Sequence, residues 1–264
     1  MRRRGMLRRP MSDVLDNPLT ACLARTGFVA VPAERMHALL KAGGVTARDW
    51  QDFAESWQRM PVDRYMADGG RYRRRRHAVC QVAPDGRVER LPARPHYQSR
   101  DYNPINGGIQ RWFAAVEDDS LNNATLAALM RLAAPMFSAL APTVHRWYVE
   151  IHQFRIEASG DTQGQPTPEG VHRDGVDYVL VMLLGRQNVA RGRTDIRLDD
   201  GTALGNFTLT EAGDAILLDD HRVLHGVTPI QAIDPAQPGH RDALVITFAR
   251  HAPVGESAQA PDDG

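Results

Sequence analysis

Cysteine is scarce. The chain has 264 residues and two cysteines, Cys22 and Cys80, too few for the disulfide framework that staples small secreted domains. Long apolar runs are missing as well. No stretch approaches the roughly 18 apolar residues of a membrane span, so a membrane partner is not expected. An excess of one charge is also lacking: 32 Lys and Arg balance 32 Asp and Glu. With no net field, nucleic acid is not an expected partner either. The first ten residues are basic, like the start of a signal peptide, but no apolar segment follows them. With so few cysteines, the cytoplasm is the expected location.

What is present suits a domain with a real core. Length and composition fit one domain over residues 11–254. A basic N-terminus (1–10) and a polar tail (255–264) are expected to be disordered. The first half reads as helical and mixed. Ser12 is a candidate cap for a helix running to Arg25, Gly27–Val31 reads as a strand, and Pro32 opens a second helix that stops at Gly43-Gly44. Thr46 is a candidate N-cap for a helix over Ala47–Met60, with Trp50, Phe53, Ala54 and Trp57 at helical spacing. A strand is expected over Arg71–Val82, followed by a polar loop rich in Asn, Pro and Gly. The longest helix, from about Asn123 to Leu140, carries an apolar stripe from Leu126 to Leu140 suited to packing on a sheet.

From Val144 the pattern changes. Short apolar runs at 144–158, 178–184, 194–198, 207–210, 215–218 and 243–249 are separated by turn residues, which suggests a sandwich or barrel. The fold class expected is therefore α+β, mainly β. The β core is expected over 144–250, behind a helical N-terminal region.

The chemistry-bearing pattern is His172-Arg173-Asp174. Residues two apart in an extended chain point to the same side, so an imidazole and a carboxylate face one point. His225, about fifty residues on, supplies a second imidazole. Two His and one carboxylate on one face of a metal leave the opposite face open, the arrangement of non-haem Fe(II) oxygenases. His221, four residues before His225, shares a face with it in a strand, so spacing alone does not separate the two. Arg241, just before the strand at 243–249, is placed to clamp a carboxylate with its forked guanidinium.

These stretches resemble the bacterial 2-oxoglutarate/Fe(II) dioxygenase family of the L-isoleucine dioxygenase and BsmA type. The matching segments are Gln98-Ser99, Tyr102–Gly108, Ile151–Ile156, Pro168–Gly175, Asp220–Ile230 and Arg241–Phe248. The resemblance spans roughly Tyr97 to Ala249. It implies a double-stranded β-helix, a cupin-like jelly roll over 144–250 with helices packed on one sheet, with His172, Asp174 and His225 as the iron ligands and Arg241 as the 2-oxoglutarate arginine. It favours His225 over His221, because Gly226–Ile230 matches the segment after the distal ligand. One departure is Ala190–Arg193, where a turn richer in Gly and Ser is expected. The cofactor expected is Fe(II), with 2-oxoglutarate and O2 as co-substrates. The reaction implied is hydroxylation of an aliphatic C–H bond of a free L-amino acid, with release of succinate and CO2.

The substrate pocket is less determined. Gln153 and Arg155 alternate with Phe154 and Ile156, so they share a face; Gln153 is a candidate for the cofactor and Arg155 for substrate. Arg74 and Arg76, from the run at 73–76, are further substrate candidates, with Asp177, Gln98 and Asn106. The arginine run fits a solvated edge strand equally well. Two other readings of the whole chain stay open at this point: a cupin-like metalloprotein with non-oxidative chemistry, and a non-catalytic stress- or biofilm-associated binding protein on the same fold.

Overall fold

A computed structural model describes residues 17–160 and 162–253. The two ends expected to be disordered, and Ser12, lie outside the described residues. The helices are α1 (Pro18–Thr26), α2 (Ala33–Ala42), α3 (Ala47–Glu55), α4 (Asp118–Leu121) and α5 (Ala124–Leu140). The cap of α1 is Asn17, whose side chain accepts from the Leu19 amide. Thr46 and Asp49 cap α3 reciprocally, a box that satisfies two amides at once. Instead of reaching Met60, this helix tightens into a 3-10 turn over Ser56–Arg59.

The strands are β1 (Phe28–Val31), β2 (Arg73–Val82), β3 (Val88–Arg90), β4 (Ala114–Ala115), β5 (Trp147–Ala158), β6 (Tyr178–Gln187), β7 (Val189–Arg191), β8 (Thr194–Arg197), β9 (Ala203–Phe207), β10 (Ala215–Asp219), β11 (Leu224–Val227), β12 (Ile230–Ala232) and β13 (Gly239–Ala249). The run at 207–210 is mostly loop; its strand lies just before it, as β9. An eight-stranded sheet has the order β1-β10-β6-β13-β5-β2-β3, with β4 beside β2. Short sheets, β11-β8-β9 and β12-β7, form the opposing layer. This is the jelly-roll architecture, mainly β with helices behind one sheet.

Alternation along the strands divides the large sheet into two faces. Leu244, Ile246 and Phe248 of β13, with Val149 and Ile151 of β5, join the main core with Leu129, Met130, Ala133 and Phe137 of α5. On the other face, Val179, Ile216 and Leu218 pack with Ile196 of the small sheet. Toward β2 that inner face stops being apolar. There it carries Arg73, Arg75, His77, Glu150, His152 and Arg241, all buried. The sheet thus has a hydrophobic back and a charged front, and the front lines a cavity.

Candidate active site

The two sheets enclose a cavity of about 520 Å³. Its metal-binding wall comes from one backbone pairing. His172 and His225 exchange both N–H to C=O hydrogen bonds, each 2.9 Å. Directly opposed antiparallel residues place their side chains on one face, and the two imidazole centroids lie 4.8 Å apart. The approach requires glycine at 226, where a Cβ would meet the Gly170 oxygen at 2.8 Å. Asp174 follows on the same side. Its Oδ1 is 3.5 Å from His172 Nε2, and its Oδ2 is 3.6 Å from His225 Nε2.

This trio fits a metal ion. One ligand atom from each residue lies within 4.8 Å of the others. His172 Nδ1 lies 3.0 Å from the Gly170 carbonyl oxygen; donating there fixes the tautomer that leaves the Nε2 lone pair facing inward. Burial disfavours charge on His172, yet Asp174 and Glu169 lift it to about 9, so the spot attracts positive charge. Burial pushes His225 down to about 4, leaving a neutral imidazole suited to ligation. Burial also opposes ionisation of Asp174, but the facing imidazoles hold its carboxyl at about 2.

Asp220 holds this turn in place. Its buried carboxylate accepts from the amides of Asp174 (3.1 Å), Gly175 (2.8 Å) and Val176 (3.1 Å). The polar loop supports it from the other side. Gln98 donates to the Asp174 carbonyl oxygen at 3.0 Å, and the Tyr102 ring lies against Gly175, where a Cβ would meet it at 2.6 Å. His221 is mostly exposed and bonds to Asp177 instead, at 3.1 Å.

Across the cavity, Arg241 is 3% exposed, and its Nε and Nη2 are buried without partners. Burial, then the nearby Arg186, pushes this guanidinium down to about 10. Arg186 is itself spent on backbone carbonyls. A buried cation with open donors is costly unless a ligand supplies the acceptor, so Arg241 fits the distal carboxylate of 2-oxoglutarate.

The remaining expected residues divide by sheet face. Gln153 points to the helices and donates to Ser56 Oγ at 2.9 Å, so it does not reach the cavity. Arg155 is on the same back face, forked on Asp242 at 2.7 Å twice. Arg74 pairs with Glu157 and Arg76 with Glu117, also away from the cavity. These four placements correct the expectation: the alternation was right, but the register of β2 on β5 turns the odd-numbered arginines, Arg73 and Arg75, inward. Asp177 lines the cavity, but its carboxylate is held by Arg250 and His221. Gln98 lines the cavity and serves the Asp174 turn. Asn106 instead accepts from the Ala67 amide and does not line the cavity, another correction.

A second cluster was not anticipated. His77, His96, Glu150 and His152 also bring four potential ligand atoms within 4.8 Å. Here the atoms are already engaged. His77 Nε2 and His96 Nδ1 both lie 2.9 Å from Glu150 Oε1, and Arg75 donates to His152 Nδ1 at 3.0 Å. A guanidinium beside the group opposes a second cation. The period-two pattern of His77 and of Glu150 with His152 was visible, but not that the strands carrying them pair with one another.

A family model of the 2OG-Fe dioxygenases matches residues 54–247. The chain belongs to that family. Fe(II), 2-oxoglutarate and O2 are accordingly its cofactor and co-substrates, and it is an oxidoreductase rather than a non-oxidative cupin or a pure binding protein. Among solved structures, a BsmA homologue from Methylobium petroleophilum PM1 is 33% identical, with a TM-score of 0.78, covering 92% of this chain and 94% of that one. The 3(1)-hydroxy-L-isoleucine 4-dioxygenase of Pantoea ananatis is 22% identical over 87% of this chain and 94% of the relative. The L-isoleucine-4-hydroxylase of Bacillus thuringiensis is 24% identical over 58% of this chain and 65% of the relative. Among the described residues, no helix is long and apolar enough to cross a membrane.

Proposed function

We propose that the chain hydroxylates an aliphatic C–H bond of a free L-amino acid or a closely similar small molecule. In this reading His172, Asp174 and His225 hold the iron, and Arg241 binds the distal carboxylate of 2-oxoglutarate. The observation that carries it is the shared cavity: an open His-Asp-His face and a buried guanidinium with open donors line one space. The names of the Pantoea and Bacillus relatives support the amino-acid class.

Bound iron and 2-oxoglutarate supply the oxidising chemistry, in which dioxygen turns the co-substrate into succinate and CO2 while the substrate gains a hydroxyl. The protein's part is to orient and to exclude. Asp220 and Gln98 hold the backbone of the Asp174 turn, so its carboxylate keeps one direction. Gly170 fixes the His172 tautomer. Val181, Ala243 and Val245 give the cavity an apolar floor on which an aliphatic side chain rests. The loop at 97–110, closed by the paired backbones of His96 and Arg111, covers the site beside Gly175.

The test is a screen of L-amino acids with Fe(II), ascorbate and 2-oxoglutarate. The expected result is succinate release that depends on one or a few aliphatic amino acids, together with a product heavier by one oxygen. Succinate release without any such product across the panel would reject the amino-acid class.

A further inference from the structure

Besides the half-exposed Arg250, three more guanidiniums, all buried, line the same cavity. Arg73 and Arg75 come from β2, and Arg111 from the foot of the polar loop. They are 5%, 5% and 1% exposed. Buried arginines normally carry a full set of partners, yet Arg73 Nη2, Arg75 Nε, and Arg111 Nε and Nη2 are buried without any. The nearby carboxylates do not make up the deficit. Asp63 is spent on Arg73 Nε at 2.6 Å and on the Tyr65 amide. Glu150 Oε1 takes both His77 and His96. Glu169 lies 3.3 Å from His172 Nε2.

Aromatic faces hold the cations in place instead. Arg75 lies over Phe113 at 4.0 Å and Phe154 at 4.6 Å, contacts that stabilise a guanidinium without using its donors. Burial and then mutual repulsion push Arg75 well below its ordinary range and Arg111 to about 10. The array is therefore short of one planar acceptor. A carboxylate matches the forked donors.

Arg241 is set apart from this array by one intervening strand. Arg241 of β13 and Arg73 of β2 both pair with Ile156 of the intervening β5, so their backbones stand about 10 Å apart. We propose that Arg111, Arg73 and Arg75 form a second carboxylate subsite, which takes the carboxylate of the substrate. This deepens the functional reading above and rests on the cavity being the substrate site. The substrate is a small carboxylate whose aliphatic end is presented to His172, Asp174 and His225. The cavity of about 520 Å³ has room for this substrate beside the co-substrate.

The test uses the Fe(II)- and 2-oxoglutarate-loaded protein without oxygen, titrated with three probes: L-isoleucine, L-isoleucinamide, and 3-methylpentanoate, which lacks the ammonium. Wild type is expected to bind L-isoleucine roughly tenfold or more tightly than the amide, the value of a charge-assisted hydrogen bond. Arg111→Met is expected to weaken L-isoleucine by roughly tenfold or more and to erase the preference for acid over amide. Its ligand-free thermal midpoint should be no lower than that of wild type, because two of the buried donors removed, Nε and Nη2, had no partner. If Arg111→Met does not fold, Arg111→Lys, which keeps the charge and loses the fork, is expected to show a reduced preference. Equal binding of acid and amide by wild type, binding of no probe, or an unchanged preference in the variants overturns the proposal. If 3-methylpentanoate binds in an Arg111-dependent way while no amino acid is hydroxylated, the carboxylate subsite stands and the amino-acid reading falls. If amino acids are hydroxylated and the variants still discriminate, only the subsite falls.

Discussion

Two clusters of histidine and carboxylate face this cavity region, and their composition barely separates them. His172, Asp174 and His225 offer two imidazoles and one carboxylate; His77, His96, His152 and Glu150 offer three and one. The difference lies in what their ligand atoms already do. In the first, the contacts to Asp174 are 3.5 and 3.6 Å and that of Glu169 to His172 Nε2 is 3.3 Å, all longer than good hydrogen bonds. In the second, two imidazoles share one carboxylate oxygen at 2.9 Å and a guanidinium engages the third ring. Their backbones differ as well. The first cluster sits on a short bridge and a turn; the second sits on two long, fully paired strands and a loop. Residue inventory cannot tell a metal site from a closed polar network. An account of the lone pairs can.

The sharpest way to break this contrast is to remove a ligand from the open cluster. Asp174→Ala should cut amino-acid-dependent succinate release by about 100-fold or more, since even supporting residues around metals are worth 10–100-fold. Iron content after desalting should fall with it; full iron retention would transfer the metal elsewhere. Next comes Arg241→Met, expected to raise the KM for 2-oxoglutarate by roughly 30-fold or more, from about 2 kcal/mol for truncating one side of a buried charge pair. An unchanged KM would remove Arg241 from the co-substrate site.

Smaller effects belong to the closed cluster. Burial holds the His96 imidazole down to about 4, against an ordinary value of 6.5. The unfolded chain therefore takes up a proton that the folded chain refuses, so stability falls as pH drops from about 6.5 to about 4, by up to ~1.4 kcal/mol per pH unit. His96→Asn should flatten the slope of thermal midpoint against pH over that window; an unaltered slope would mean that His96 is protonated in the fold. Smallest of all is the expected change in metal content. His152→Gln should leave iron at one per chain, and a loss of metal would show that the second cluster binds it.

Much of this was legible in the sequence. The His172-x-Asp174 triplet, His225 and Arg241 stand at positions where local pattern and family segments agree, and these residues do line one cavity. The long apolar stripe of α5 and the cap at Thr46 were equally readable, because both depend on neighbours within a turn or two. The arginine run shows where local reading stops. Alternation divides Arg73 and Arg75 from Arg74 and Arg76, but both faces of β2 carry charge. Only pairing with β5 decides which face meets the cavity. Gln153 and Arg155 failed for the same reason: Ser56 and Asp242, the partners that claim them, come from elsewhere in the chain.

The sequence by itself determined the chemistry, because a facial metal triad needs particular donor atoms and a short spacing carries most of that information. The tertiary structure decided which donors remain free. It joined His172 to His225 through a reciprocal backbone pair, closed His77, His96 and His152 around Glu150 and Arg75, and left Arg73, Arg75 and Arg111 with open donors. Free and spent lone pairs are a property of contacts between distant segments, and no local pattern encodes them.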